Sequence, residues 1–75
     1  MDESTQGTSG DEIEFPVEDQ TYNLLQTLTS KLESLDAYRT YLEDADEDSA
    51  QLFRQMAQQD SKDATRLLEL LRERL

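Results

Sequence analysis

Leu25, Leu28, Leu32, Leu35, Tyr38, Leu42 and Ala45 follow one another at spacings of three and four, the period that gathers side chains on one face of an α-helix. The pattern predicts a first helix over about residues 19–45. Pro16 suits a first helical turn, and Glu18 and Asp19 place negative charge where the dipole of a starting helix favours it. Phe53, Met56, Ala57, Ala64, Leu67, Leu68, Leu71 and Leu75 repeat the same period and predict a second helix over about residues 49–74. Between the two, Glu43, Asp44, Asp46, Glu47 and Asp48 put five acids into six positions. Such a run strains the negative end of one helix and suits the positive start of the next, so a turn is expected over residues 45–48, with Asp48 or Ser49 as the N-cap. Neither helical stretch contains Gly or Pro, and both are rich in Leu, Gln, Glu, Arg and Ala, so intrinsic propensity agrees with the pattern.

Two long helices joined by a short loop run antiparallel, so the expected fold class is all-α, a two-helix hairpin over residues 16–75. Tyr22, Leu24 and Tyr41 on the first helix, and Leu52, Leu68 and Leu70 on the second, widen the apolar stripes beyond what one partner helix covers. Dimerisation into a two-fold four-helix bundle would cover them, so a homodimer or higher even-numbered oligomer is expected. Leu25, Leu28, Leu32, Leu35, Leu42, Phe53, Met56, Leu67 and Leu71 are its expected core and interface. Residues 1–15 read differently. They hold both glycines, Gly7 and Gly10, with Ser4, Thr5, Thr8 and Ser9, acids and no base, a composition that cannot bury enough apolar surface to order itself. A disordered acidic tail is expected there, either simply solvated or docking a basic protein partner.

Composition narrows the function. A chain of 75 residues is one small domain, and 18 acids against 7 bases give a net charge of −11, which disfavours nucleic acid and anionic membrane as partners. The same excess suits a surface adapted to salt. There is no Cys and no His, which removes thiol nucleophiles, disulfides, zinc fingers and imidazole bases. No apolar run approaches the roughly 20 residues of a membrane span, and no basic start followed by an apolar stretch marks a signal peptide. A cytoplasmic, non-catalytic protein without a cofactor is the reading. Tyr22, Tyr38 and Tyr41 sit at helical spacing as packing residues, and Lys62, Arg66, Arg72 and Arg74 gather where cations favour the end of a helix.

Two charged positions interrupt the apolar stripes. Asp60 lies in the middle of the second helix's arc, among Phe53, Ala57, Ala64 and Leu67, and Lys31 lies on the edge of the first helix's stripe. With the turn centred near residue 47, Lys31 falls level with Asp63 and Tyr38 level with Met56 or Ala57, so the two bracket Asp60. A buried charge cluster of Lys31, Asp60, Asp63 and Tyr38 is expected, since buried charges are tolerated when paired and tend to fix register. A second reading of the same residues is a carboxylate site for a cation on Asp60 and Asp63. Asp44, Asp46 and Asp48 have the spacing that opens a calcium loop, but Ser49 stands where the turn glycine belongs and Gln55 where the bidentate Glu belongs. A capping turn is expected instead.

The run from Leu32 to Tyr38, the acidic turn, and the run from Asp60 to Leu71 together resemble two-helix ferritin-like proteins of the encapsulated-ferritin type, over residues 21–74. The resemblance implies a hairpin that dimerises as half of a four-helix bundle around a di-iron site, built from a Glu on the first helix and Glu-x-x-His on the second. Residue by residue, Lys31 stands at the first position and Asp60 and Asp63 at the other two. A cationic side chain replaces one ligand and the imidazole is missing, so Lys31 is expected to substitute for the metal, and ferroxidase activity is expected to be absent. The expected function is that of a non-catalytic protein that self-associates and acts through protein contacts; the alternative is a carboxylate metal-binding or iron-handling protein.

Overall fold

The computed structural model describes residues 13–75. Two helices make up the fold, α1 (Asp19–Tyr41) and α2 (Glu47–Arg74), and there is no strand among the described residues. Pro16 sits in a bend ahead of α1 rather than in its first turn. Glu18 is the extended N-cap, but its carboxylate takes the Thr21 hydroxyl at 3.0 Å instead of a backbone amide. That contact goes with the burial of Thr21, only 3% exposed. Phe15 lies edge-on to Tyr22 with ring centroids 5.3 Å apart, an apolar clasp at the start of the helix.

The first helix stops at Tyr41, four residues short of the expected end, and the second begins two residues early at Glu47. The cause is Asp46. It adopts extended backbone (φ −71°, ψ 176°) as the N-cap of α2, and its carboxylate accepts the Ser49 amide at 2.8 Å, which fills the place expected of Asp48 or Ser49. The turn therefore occupies residues 42–46. Leu42 still closes a last helical bond to the Tyr38 carbonyl at 2.9 Å, and Glu43 bonds the Thr40 carbonyl at 3.1 Å.

Glu18 meets Arg74, Lys31 meets Asp60 and Tyr38 meets Phe53, so the partners close up toward the turn and the helices run antiparallel. The contact line repeats every seven residues. On α1 and into the turn it carries Thr21, Leu28, Leu35 and Leu42 alongside Leu24, Lys31, Tyr38 and Ala45; on α2 it carries Ala50, Ala57, Ala64 and Leu71 alongside Phe53, Asp60, Leu67 and Arg74. A seven-residue repeat on both helices is the pattern of an antiparallel coiled coil, and three alanines in one row let the backbones come close.

Burial is concentrated on that row. Leu71, Ala64 and Ala50 are 2%, 6% and 8% exposed. Of the expected core, only Leu71 is buried within the single chain. Leu25, Leu28, Leu35, Leu42, Phe53 and Leu67 are half-buried, while Leu32 and Met56 are 51% and 41% exposed. Alanines fill the space on the α2 side, so the larger side chains splay toward the flanks. The expectation of a disordered tail concerns residues 1–15, and residues 1–12 lie outside the described residues.

Candidate functional site

One cluster links the helices through charge. Lys31 stands midway along α1, and α2 presents Asp60 and Asp63 three residues apart, on neighbouring ridges of one face. The Lys31 Nζ donates to Asp60 Oδ1 at 3.2 Å and lies 3.1 Å from Asp63 Oδ2. The other Asp63 oxygen accepts the Gln59 side-chain amide at 3.0 Å. The Asp60 side chain is 15% exposed, against 31% for Lys31 and 39% for Asp63, so the cluster is half-buried rather than sealed in a core. In the single chain nothing covers it from the outer side.

The hydrogen bonds from the ammonium to Asp63 and then Asp60 raise the Lys31 pKa above its ordinary 10.5, against a smaller opposing effect of burial. The Gln59 amide first, and Lys31 second, hold the Asp63 carboxyl below its ordinary 3.8. Both Asp63 oxygens and one Asp60 oxygen thus have a partner inside the cluster. Among the described residues no pocket opens, and no three Asp, Glu, His or Cys side chains are gathered as a metal ion would need. Compared with known protein families, curated proteins and solved structures, the chain matches none.

Three of the four expected cluster residues come together, and Tyr38 does not join them. It stacks on Phe53 at 5.9 Å and 24° and meets Tyr41 at 6.5 Å, a separate aromatic group toward the turn, with no hydrogen bond to Asp60. The displacement follows from Asp46. Ending α1 early moves the centre of the hairpin toward residue 45 and slides α2 by nearly one turn, so Phe53 takes the level expected of Met56.

In the acidic turn, the Asp46 carboxylate is committed to capping, and the Ser49 amide and then hydroxyl hold its pKa below 3.8. No helix among the described residues is long and apolar enough to cross a membrane.

The sequence reading missed Gln59, whose spacing of four from Asp63 was the available signal. It also missed the pair joining the two ends of the hairpin, Arg74 to Glu18 at 2.9 Å, which no local spacing announces.

Proposed function

We propose that the protein is a non-catalytic helical hairpin that pairs with itself to form a four-helix bundle and acts through protein contacts. The observation that carries this is the distribution of large apolar side chains. Leu71 is the one large side chain that the pair of helices buries, whereas Leu32, Tyr41, Leu52, Met56 and Leu68 are between 40% and 53% exposed. A fully buried Leu contributes about 1.5–3 kcal/mol, so one such residue is little to set against the cost of ordering two helices. A second hairpin would cover part of what the first leaves wet, and it would close over the Lys31 cluster.

The resemblance to a ferritin-like half supports the same assembly. Lys31 occupying both Asp60 and Asp63 favours an ion-paired seam over a metal-binding one. Sedimentation equilibrium at micromolar concentration and moderate salt tests the proposal. The expected mass is twice the 8.7 kDa of the chain or a higher even multiple; a monomer throughout the concentration range would overturn it.

A further inference from the structure

The two flanks of the hairpin differ in charge. At about 3.6 residues per turn, the α1 flank on the side of the Lys31 cluster carries Asn23, Thr27, Ser30, Ser34, Ala37 and Tyr41, alternating at spacings of four and three without one charged residue. The opposite flank of α1 carries Tyr22, Leu25, Thr29, Leu32, Asp36 and Arg39, two of them charged, with Glu18 and Glu43 just beyond the ends of the helix. On α2, the cluster side carries Leu52, Met56, Gln59, Asp63, Arg66, Leu70 and Glu73; Leu52 and Met56 are 53% and 41% exposed, Asp63 is paired with Lys31, and Arg66 is paired with Glu69. On this side of a chain with net charge −11, the α1 half is therefore uncharged, and on the α2 half Lys31 meets Asp60 and Asp63 while Glu69 meets Arg66, which leaves Glu73 as the acid outside a pair. This side is also self-complementary in size, small side chains along α1 and large apolar ones along α2.

A basic partner would be drawn to the acid-rich surfaces and gain nothing from a neutral one. An identical acidic chain has the opposite need, because like-charged surfaces repel and interface centres are depleted of charge. Residues 1–12 contain Met1 as their only apolar side chain, a composition with little apolar surface to offer such a face.

We infer that this charge-poor face, bearing Tyr41, Leu52, Met56 and the Lys31 cluster, is the self-association surface, with α2 of each copy lying antiparallel on the uncharged flank of α1 in the other. The inference rests on the self-pairing proposed above. A two-fold axis along the bundle preserves the levels seen within one hairpin, where Lys31 meets Asp60. Ser34 and Ala37 then receive Met56 and Leu52 of the second copy, and Ser30 lies level with its Gln59.

The test is sedimentation of the full chain, with circular dichroism to follow helix content. Ser30 is exposed in the single chain, so Ser30→Glu leaves the hairpin helical. It is expected to raise the dimer Kd about tenfold or more, because it places a charge in the seam. Adding Gln59→Lys supplies the opposite charge from the second copy and is expected to restore the dimer. Leu32→Glu and Leu68→Glu, on the other flank, are expected to leave the Kd within about threefold of the parent. If the dimer survives Ser30→Glu and is broken by Leu32→Glu with Leu68→Glu, self-pairing stands and this assignment of the face falls. If Ser30→Glu breaks the dimer and Gln59→Lys fails to restore it, the α1-on-α2 arrangement falls. A parent chain that stays monomeric, or whose face takes up a basic amphipathic peptide instead of a second copy, overturns both readings.

Discussion

Lys31 is the one side chain on which two carboxylates depend. Asp60 and Asp63 project from α2 within reach of the same ammonium, at 3.2 and 3.1 Å, and without it they would face one another half-buried. The gain from a half-exposed ion pair is small, and the cost of removing one member is larger, because the charges left behind lose their partner and not their burial. Lys31→Met should therefore lower the melting temperature by several degrees, and Lys31→Met combined with Asp60→Leu should recover much of that loss. Thermal melts followed by circular dichroism check both, and a Lys31→Met variant with an unchanged melt would show that the cluster contributes nothing. The same contacts set the pH limits. Asp63 titrates below 3.8 when folded, so its contribution is complete above that pH and fades as the pH falls through the depressed value. Lys31 titrates above 10.5 when folded, so its contribution is complete below that pH and fades as the pH rises through the elevated value.

Among the elements, the turn decides what meets what. Both helices were legible in the sequence because large apolar residues mark their inner faces at helical spacing over more than twenty residues each. The level of α2 against α1 was not, because Asp44, Asp46 and Asp48 are all chemically able to cap α2, and the choice among them shifts every pairing across the hairpin. Capping at Asp46 keeps Lys31 with Asp60 and Asp63, since those two span a full turn and tolerate the shift; Tyr38, tied to one level, moves to Phe53. The buried row was obscured for a different reason. Ala50, Ala64 and Thr21 are small or polar, and a core weighted toward leucines omits them, even Ala64 on the apolar stripe, in favour of Leu32 and Met56, which the hairpin leaves exposed. Asp46→Ala should lower the melting temperature by a few degrees at neutral pH, and Asp46→Asn, which keeps an acceptor for the Ser49 amide, by less. The carboxylate titrates below 3.8 when folded, so the stability it confers is present above that pH and lost as the pH falls through the depressed value, and Asp46→Asn should lose less on acidification than the parent. Equal melts for the alanine variant and the parent would mean that Asp46 does not set the turn.

For the whole molecule, the net charge of −11 and the proposed pairing of two copies pull in opposite directions. In such a dimer each chain would repel its double through acids spread over the outer surface and the turn, while the seam would gain from apolar burial that salt does not screen. Salt also weakens the Lys31 cluster, but that is one ammonium in a half-exposed site, set against a repulsion summed over every unpaired acid. Screening shortens from about 10 Å at 0.1 M to about 3 Å at 1 M, a range in which charges on facing surfaces cease to feel one another. The dimer is therefore expected to tighten as sodium chloride rises. Glu33→Gln with Glu73→Gln, at exposed positions, should flatten that dependence by binding more tightly than the parent at low salt and equally at high salt. Sedimentation across a salt series reads both slopes. A parent dimer that loosens as salt rises would mean that opposite charges, and not the neutral apolar face, hold the copies together; parallel slopes for parent and variant would mean that the salt effect comes from strengthened apolar burial rather than from relief of repulsion.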